Sequence, residues 1–151
     1  MTANASAQAS KRFAWGYLVS ALLSLIGLAD ALYLTVQHLT GQSLRCTIIS
    51  GCSEVLSSPY AQIGSIPLAA VGAFAYFTVF SLSILAAFKY RFARPLLAAL
   101  VAVMFLMTLW LLYLQAFVIR HFCQYCLLSA AVTIVLTALL VIAPWVQNRE
   151  R

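Results

Sequence analysis

Charge is the scarce resource in this sequence. Only 8% of its 151 residues are Asp, Glu, Lys or Arg, and just three are acidic, against about a quarter charged in soluble domains. With 64% hydrophobic residues, that shortage excludes an ordinary soluble fold and describes an integral membrane protein. Charge is missing in blocks: residues 66–88, 95–119 and 126–147 carry none, and 14–39 carries only Asp30. Each block reaches the ~20 residues that cross ~30 Å of hydrocarbon. Four crossings predict an all-α, four-helix membrane bundle as a single domain over 14–147, with little left over for a soluble domain. The first block is 26 residues long, too long for a signal-peptide core of about 7 to 15 residues, and no cleavage site follows it. Internal repeats and low-complexity tracts are also absent.

The net charge of +6 would suit a nucleic-acid binder in a soluble chain, but here the basic residues flank the spans. Lys11, Arg12, Lys89, Arg91, Arg94, Arg149 and Arg151 fall on one side, seven of the nine; Arg45 and Arg120 fall on the other. The positive-inside rule then puts both termini in the cytoplasm and the loops after spans one and three outside. Residues 1–13 read as a disordered cytoplasmic tail, 148–151 as a second short tail, and 40–65 as the outer loop.

Cysteine is used four times and nowhere without apparent purpose. Cys123 and Cys126, a C-x-x-C pair, stand at the head of span four; Cys46 and Cys52 stand in the outer loop. All four face the side where disulfides persist. Two intervening residues place Cys123 and Cys126 one helical turn apart, close enough to join. The unpaired N–H groups of a helix start favour the thiolate. Three readings remain open on spacing: an electron relay through two dithiol pairs, a four-thiolate zinc site, or two permanent bridges.

Few other residues carry chemistry. Asp30 lies about nine residues inside span one, where a carboxylate costs roughly 2.5 to 3.5 kcal/mol, so it is expected protonated, paired or facing the bundle interior. Its role is a structural hydrogen bond to another helix, or else a proton path or a polar edge to a ligand pocket. His38 reads as a solvated interface residue, and Tyr33 as packing. A short loop helix either ends before Pro59 or begins there, with Ser57 and Ser58 as caps. Small residues from Ala69 to Ala75 let span two approach a neighbour closely. Trp110, Tyr113 and Gln115 mark the outer half of span three as interface belt or pocket wall. Ser129 and Thr133 are expected to bond back to their own helix.

Cys52-Ser53-Glu54-Val55-Leu56-Ser57-Ser58, preceded by Cys46 and followed by Gly64-Ser65-Ile66-Pro67-Leu68, then Cys123-Gln124-Tyr125-Cys126 at span four, resembles the vitamin K epoxide reductase family, bacterial branch. The resemblance covers nearly the whole chain. It implies a quinone pocket capped by the outer loop, with Cys126 attacking the quinone, Cys123 exchanging with a loop cysteine, and Cys46 and Cys52 as the shuttle. Ser58 then matches a family serine beside the acceptor, and Asp30 is a further candidate for that pocket. Ala130 and Gly64 stand where vertebrate relatives carry a tyrosine and an asparagine, so plain quinone reduction is expected rather than epoxide reduction. The implied activity is a membrane thiol oxidase. It would take electrons from a periplasmic thioredoxin-fold protein in a separate chain and deliver them to ubiquinone or menaquinone in a bacterial cytoplasmic membrane, with no metal and no nucleic acid. The alternatives are a vitamin K reductase in the vertebrate sense and a non-enzymatic four-span protein with structural disulfides.

Overall fold

The structure is a computed structural model. It describes residues 2–42, 46–49 and 51–142, with side chains over 14–42, 46–49 and 51–140. Arg45, the charged tails at 148–151 and the end of span four lie outside the described residues, as do the side chains of Lys11 and Arg12.

Helix α1 runs Thr2–Thr40. The expected disorder of residues 1–13 gives way to helix from Thr2 onward. The physical reason is local: alternate alanines at 3, 5, 7 and 9 are the best helix formers, and extending an existing helix avoids the cost of nucleation. Helix α3, Leu68–Ala87, starts directly after Pro67, whose fixed φ and missing N–H suit a helix entry. It is joined to α4, Ala93–Tyr113, by a short turn in which Lys89 takes a positive φ of 66°. Helix α4 widens into a π-helical segment, Leu114–Ile119, and stops at Arg120 in the left-handed conformation. Helix α5, Gln124–Thr137, also ends in π-helical turns, Ala138–Ile142.

Among the described residues, three helices are long and apolar enough to cross a membrane: Ala14–Thr40, Leu68–Ala87 and Ala93–Ile119. The described apolar part of the fourth, Gln124–Leu140, is shorter. The bundle wears its apolar side chains outward, with Phe74 73% and Phe117 68% exposed. Apolar surface spread over a whole bundle in this way is what lipid, not water, covers.

Helix α1 packs most extensively on α3, and α5 contacts both α1 and α4. The close α1–α3 approach has a specific cause. A Cβ on Gly27 would land in the ring of Tyr76. The Tyr76 hydroxyl in turn reaches α5, within 2.8 Å of Ser129 Oγ and 3.0 Å of Thr133 Oγ1, and donates to the Ser129 carbonyl at 2.9 Å. Thr133 does bond back to its own helix, at 3.0 Å, but the Ser129 hydroxyl turns to Tyr76 instead. A core of Val79, Leu97, Val101 and Leu136 fills the middle of the bundle.

The outer loop contains both of the elements its sequence left undecided. Helix α2 spans Cys52–Leu56, and a 3-10 turn with proline at its start spans Pro59–Ala61. Two strands then pair antiparallel, β1 (Gln62–Ile63) with β2 (Ile66–Pro67), turning at Gly64 with φ 66°.

Candidate functional site

The four cysteines gather at one end of the bundle. Cys46 and Cys52 are joined as a disulfide, with their Cα atoms 5.9 Å apart; Cys123 and Cys126 are free thiols. Cys52, 1% exposed, and Cys123, fully buried, pack in one apolar cluster with Leu34 and Val55, with Cys46 and Cys126 against its edge. The cluster is where the loop docks on the helices: α2 begins at Cys52, and α5 begins just after Cys123.

Three backbone features hold that junction. Gly51, the residue before α2, has φ 137°, and a Cβ there would lie 3.1 Å from both His121 Cβ and the Phe122 carbonyl oxygen. The backbone N–H of Cys123 donates to Gln115 Oε1 at 3.3 Å, a sound use for a polar side chain buried in the last turns of span three. Gln124 accepts from the Ile48 N–H at 3.1 Å and offers its amide to Thr47 Oγ1 at 3.4 Å.

Cys123 occupies the cap position of α5, one residue ahead of the spanning helix. Its acidity is raised there, from an ordinary value of 9.0 down to about 7. The largest cause is the hydrogen bond from Cys126; burial opposes it, and the N–H groups of Cys126 and Tyr125 at the helix start add to it. Those N–H groups act as oriented dipoles, since no full capping bond closes on Cys123. When the reduced pair loses one proton, the charge therefore falls on Cys123.

Beside the cluster opens a cavity of about 160 Å³. Its wall is mostly apolar, and its polar positions include Asp30, His38, Ser58, Gln115 and Cys126. Cys126 lines it and Cys123 does not; Cys123 is instead a buried member of the apolar cluster that also holds Cys52. Val55, Leu56 and Ser58 roof it from the loop, as expected of a capping helix. Ser58 spends its hydroxyl hydrogen on the Val55 carbonyl at 2.7 Å, which leaves its oxygen as an acceptor toward the cavity. Asp30 is 7% exposed, and neither carboxylate oxygen has a hydrogen-bond partner.

A family model for the vitamin K epoxide reductase family matches residues 18–141. The chain belongs to that family. The four-helix membrane bundle is the family's architecture, and its members are oxidoreductases that couple thiols to quinone reduction. The match runs from the middle of α1 into the π-helical turns after α5 and so includes both cysteine pairs and the cavity.

Sequence reasoning singled out the cysteines, Asp30 and Ser58, and all of these lie in the cluster or the cavity wall. It missed Gln124, whose only signal was an amide set between two cysteines, and Tyr76, which lines the cavity and joins α3 to α5. His38, expected to be merely solvated, lines the cavity as well. Trp110 and Tyr113 are more than half exposed and lie outside the cavity lining, on the outer surface. Tyr33 packs on Tyr125 with ring centres 5.2 Å apart.

Proposed function

We propose that this protein is a membrane thiol:quinone oxidoreductase that supports disulfide formation. Electrons enter from a thioredoxin-fold dithiol protein at Cys46 and Cys52, pass to Cys123 and Cys126, and leave on a membrane quinone, ubiquinone or menaquinone. The observation that carries this reading is the placement of the C-x-x-C pair, with Cys126 on the cavity wall and Cys123 buried in the apolar cluster that also holds Cys52. The excess of basic residues at the opposite membrane face supports a non-cytoplasmic position for all four cysteines, in a bacterial cytoplasmic membrane with both termini inside.

Burial orders the relay. Cys46 is partly exposed and is the sulfur an external dithiol reaches; Cys52 is buried beside Cys123 and is the one that exchanges with it. Each transfer is attack by a thiolate on a disulfide sulfur, and Cys123 is acidic enough to be a good leaving group when the pair is reduced. The cavity suits an apolar ring, with Ser58 and Asp30 as the polar positions available to its oxygens. A bound quinone supplies an acceptor for two electrons and two protons. Ala130 lines the cavity without a hydroxyl, which favours plain quinone reduction over epoxide chemistry.

The test is quinol formation by the purified protein in lipid, given a reduced thioredoxin-fold dithiol protein and a soluble quinone analogue. Cys126→Ala is expected to abolish it while still trapping Cys123 in a mixed disulfide with the loop. Full quinol formation by Cys126→Ala would refute the assignment.

A further inference from the structure

Two protons must accompany two electrons onto a quinone, and a reduced cysteine pair that has ionised at Cys123 holds only one. Cys123 and Cys126 share a hydrogen bond, with Cys123 acidic enough to be ionised near neutral pH. The pair then brings one proton, on Cys126. A second donor has to face the same cavity.

Among the described residues, the buried side-chain atoms left without a hydrogen-bond partner are both carboxylate oxygens of Asp30 and the hydroxyl of Ser83. Ser83 is not part of the cavity wall; Asp30 is. A carboxylate more than nine-tenths buried with no cation beside it is costly in its charged form, several kcal/mol by any account, and the neutral acid is the form such a site holds. Among the described residues, the other titratable groups on the wall are His38 of α1, Tyr60 of the 3-10 turn, Tyr76 of α3 and Cys126 of α5; α4 contributes none, and no described lysine or arginine lines the cavity. The Tyr76 hydroxyl is already engaged by Ser129 and Thr133. His38 lies eight residues further along α1, about 12 Å toward the outer end.

We propose that Asp30 is a catalytic acid: its neutral carboxyl donates the second proton to the quinone oxygen as Cys126 delivers the electron pair. This inference rests on the thiol:quinone reading above. The balance closes. One thiolate (Cys123), one thiol (Cys126), one neutral carboxyl and one quinone are consumed; one Cys123–Cys126 disulfide, one carboxylate and one quinol result. Two sulfurs are oxidised, the quinone is reduced, and each side carries one negative charge. Asp30 then recovers its proton before the next turnover.

The chain contains a single aspartate, which makes the test direct. The full-length protein in lipid, labelled with carboxyl-13C aspartate, should show a protonated-carboxyl infrared band at neutral pH that shifts with the label, without any quinone present. Absence of that band overturns the proposal. In single turnovers of the reduced protein with a soluble quinone analogue, Asp30→Asn should slow quinol formation by roughly 100-fold. The same variant should keep the parental rate of exchange between the loop and the C-x-x-C pair, and Asp30→Glu should recover most of the quinol rate. A parental quinol rate in Asp30→Asn overturns the proposal and leaves the thiol:quinone reading intact, because that reading fails only if Cys126→Ala is active. Should Asp30→Asn not fold, the labelled infrared band and the Asp30→Glu rate decide the matter.

Discussion

Gln124, one of the two residues between Cys123 and Cys126, accepts the backbone N–H of Ile48 at 3.1 Å across 76 residues of sequence. The same side chain offers its amide to Thr47, so the C-x-x-C segment holds the strand of loop that follows Cys46. A hydrogen bond of this kind is worth about 1 kcal/mol net, too little to decide whether the bundle folds but enough to set how often the loop is docked.

Gln124→Ala is therefore expected to slow electron transfer from the reduced loop pair to a Cys123–Cys126 disulfide about fivefold, with the thermal midpoint of the bundle almost unmoved. Gln124→Glu keeps the acceptor for Ile48 and loses the donor to Thr47, and should fall between. Acid quenching and thiol counting during a single turnover read the rate. An unchanged rate in Gln124→Ala would show that the contact does not govern docking.

The acidity of Cys123 gives a pH prediction with a definite sign. A thiol whose value is pushed down to about 7 is mainly thiolate above that pH and mainly thiol below it. In a reduced Cys46→Ser, Cys52→Ser protein, the ultraviolet absorbance of thiolate should rise with a midpoint near 7. Replacing Cys126 with alanine removes the largest cause of the shift, so the midpoint should move upward toward the ordinary thiol range. A midpoint that ignores Cys126 would mean that the helix start, not the neighbouring sulfur, holds the charge.

Much of this was legible in the sequence, and for physical reasons. Charge cannot be hidden in hydrocarbon, so the charge-free blocks 66–88 and 95–119 announce α3 and α4, and the excess of Lys and Arg between them marks their turn. The cysteines declared themselves by scarcity and spacing. Less visible was anything that depends on one segment meeting another. Ser129 looks like a residue bonding back to its own helix, because nothing in the chain near it says that Tyr76 will arrive from α3. The pairing of Gln62–Ile63 with Ile66–Pro67 is too short to leave an alternation pattern. The helix over residues 2–13 was obscured by their polarity, which says that they are wet but not that they are unfolded. Within the site, a pair of cysteines does not reveal which sulfur faces the cavity; the start of α5 at Gln124 decides that.

Gly51 is the most exacting position in the loop. Its φ of 137° lies where side chains are rarely accommodated, at a cost on the order of 1 to 3 kcal/mol. A Cβ would also press on His121 Cβ and the Phe122 carbonyl, each 3.1 Å away. The residue after it is Cys52, so strain relieved by moving the backbone is relieved by moving that sulfur away from Cys123. Gly51→Ala should therefore slow exchange between Cys52 and Cys123 by tenfold or more, on the order of 1.4 kcal/mol, more than it lowers the melting temperature of the bundle. Gly64→Ala separates strain from crowding: φ there is also positive, at 66°, but nothing lies within 4 Å of the added carbon. It should bear the backbone cost alone and keep near-parental exchange, measured by the same quench and thiol count. If the two substitutions slow exchange equally, backbone strain in the loop, and not the fit of Gly51 against His121 and Phe122, sets the position of Cys52.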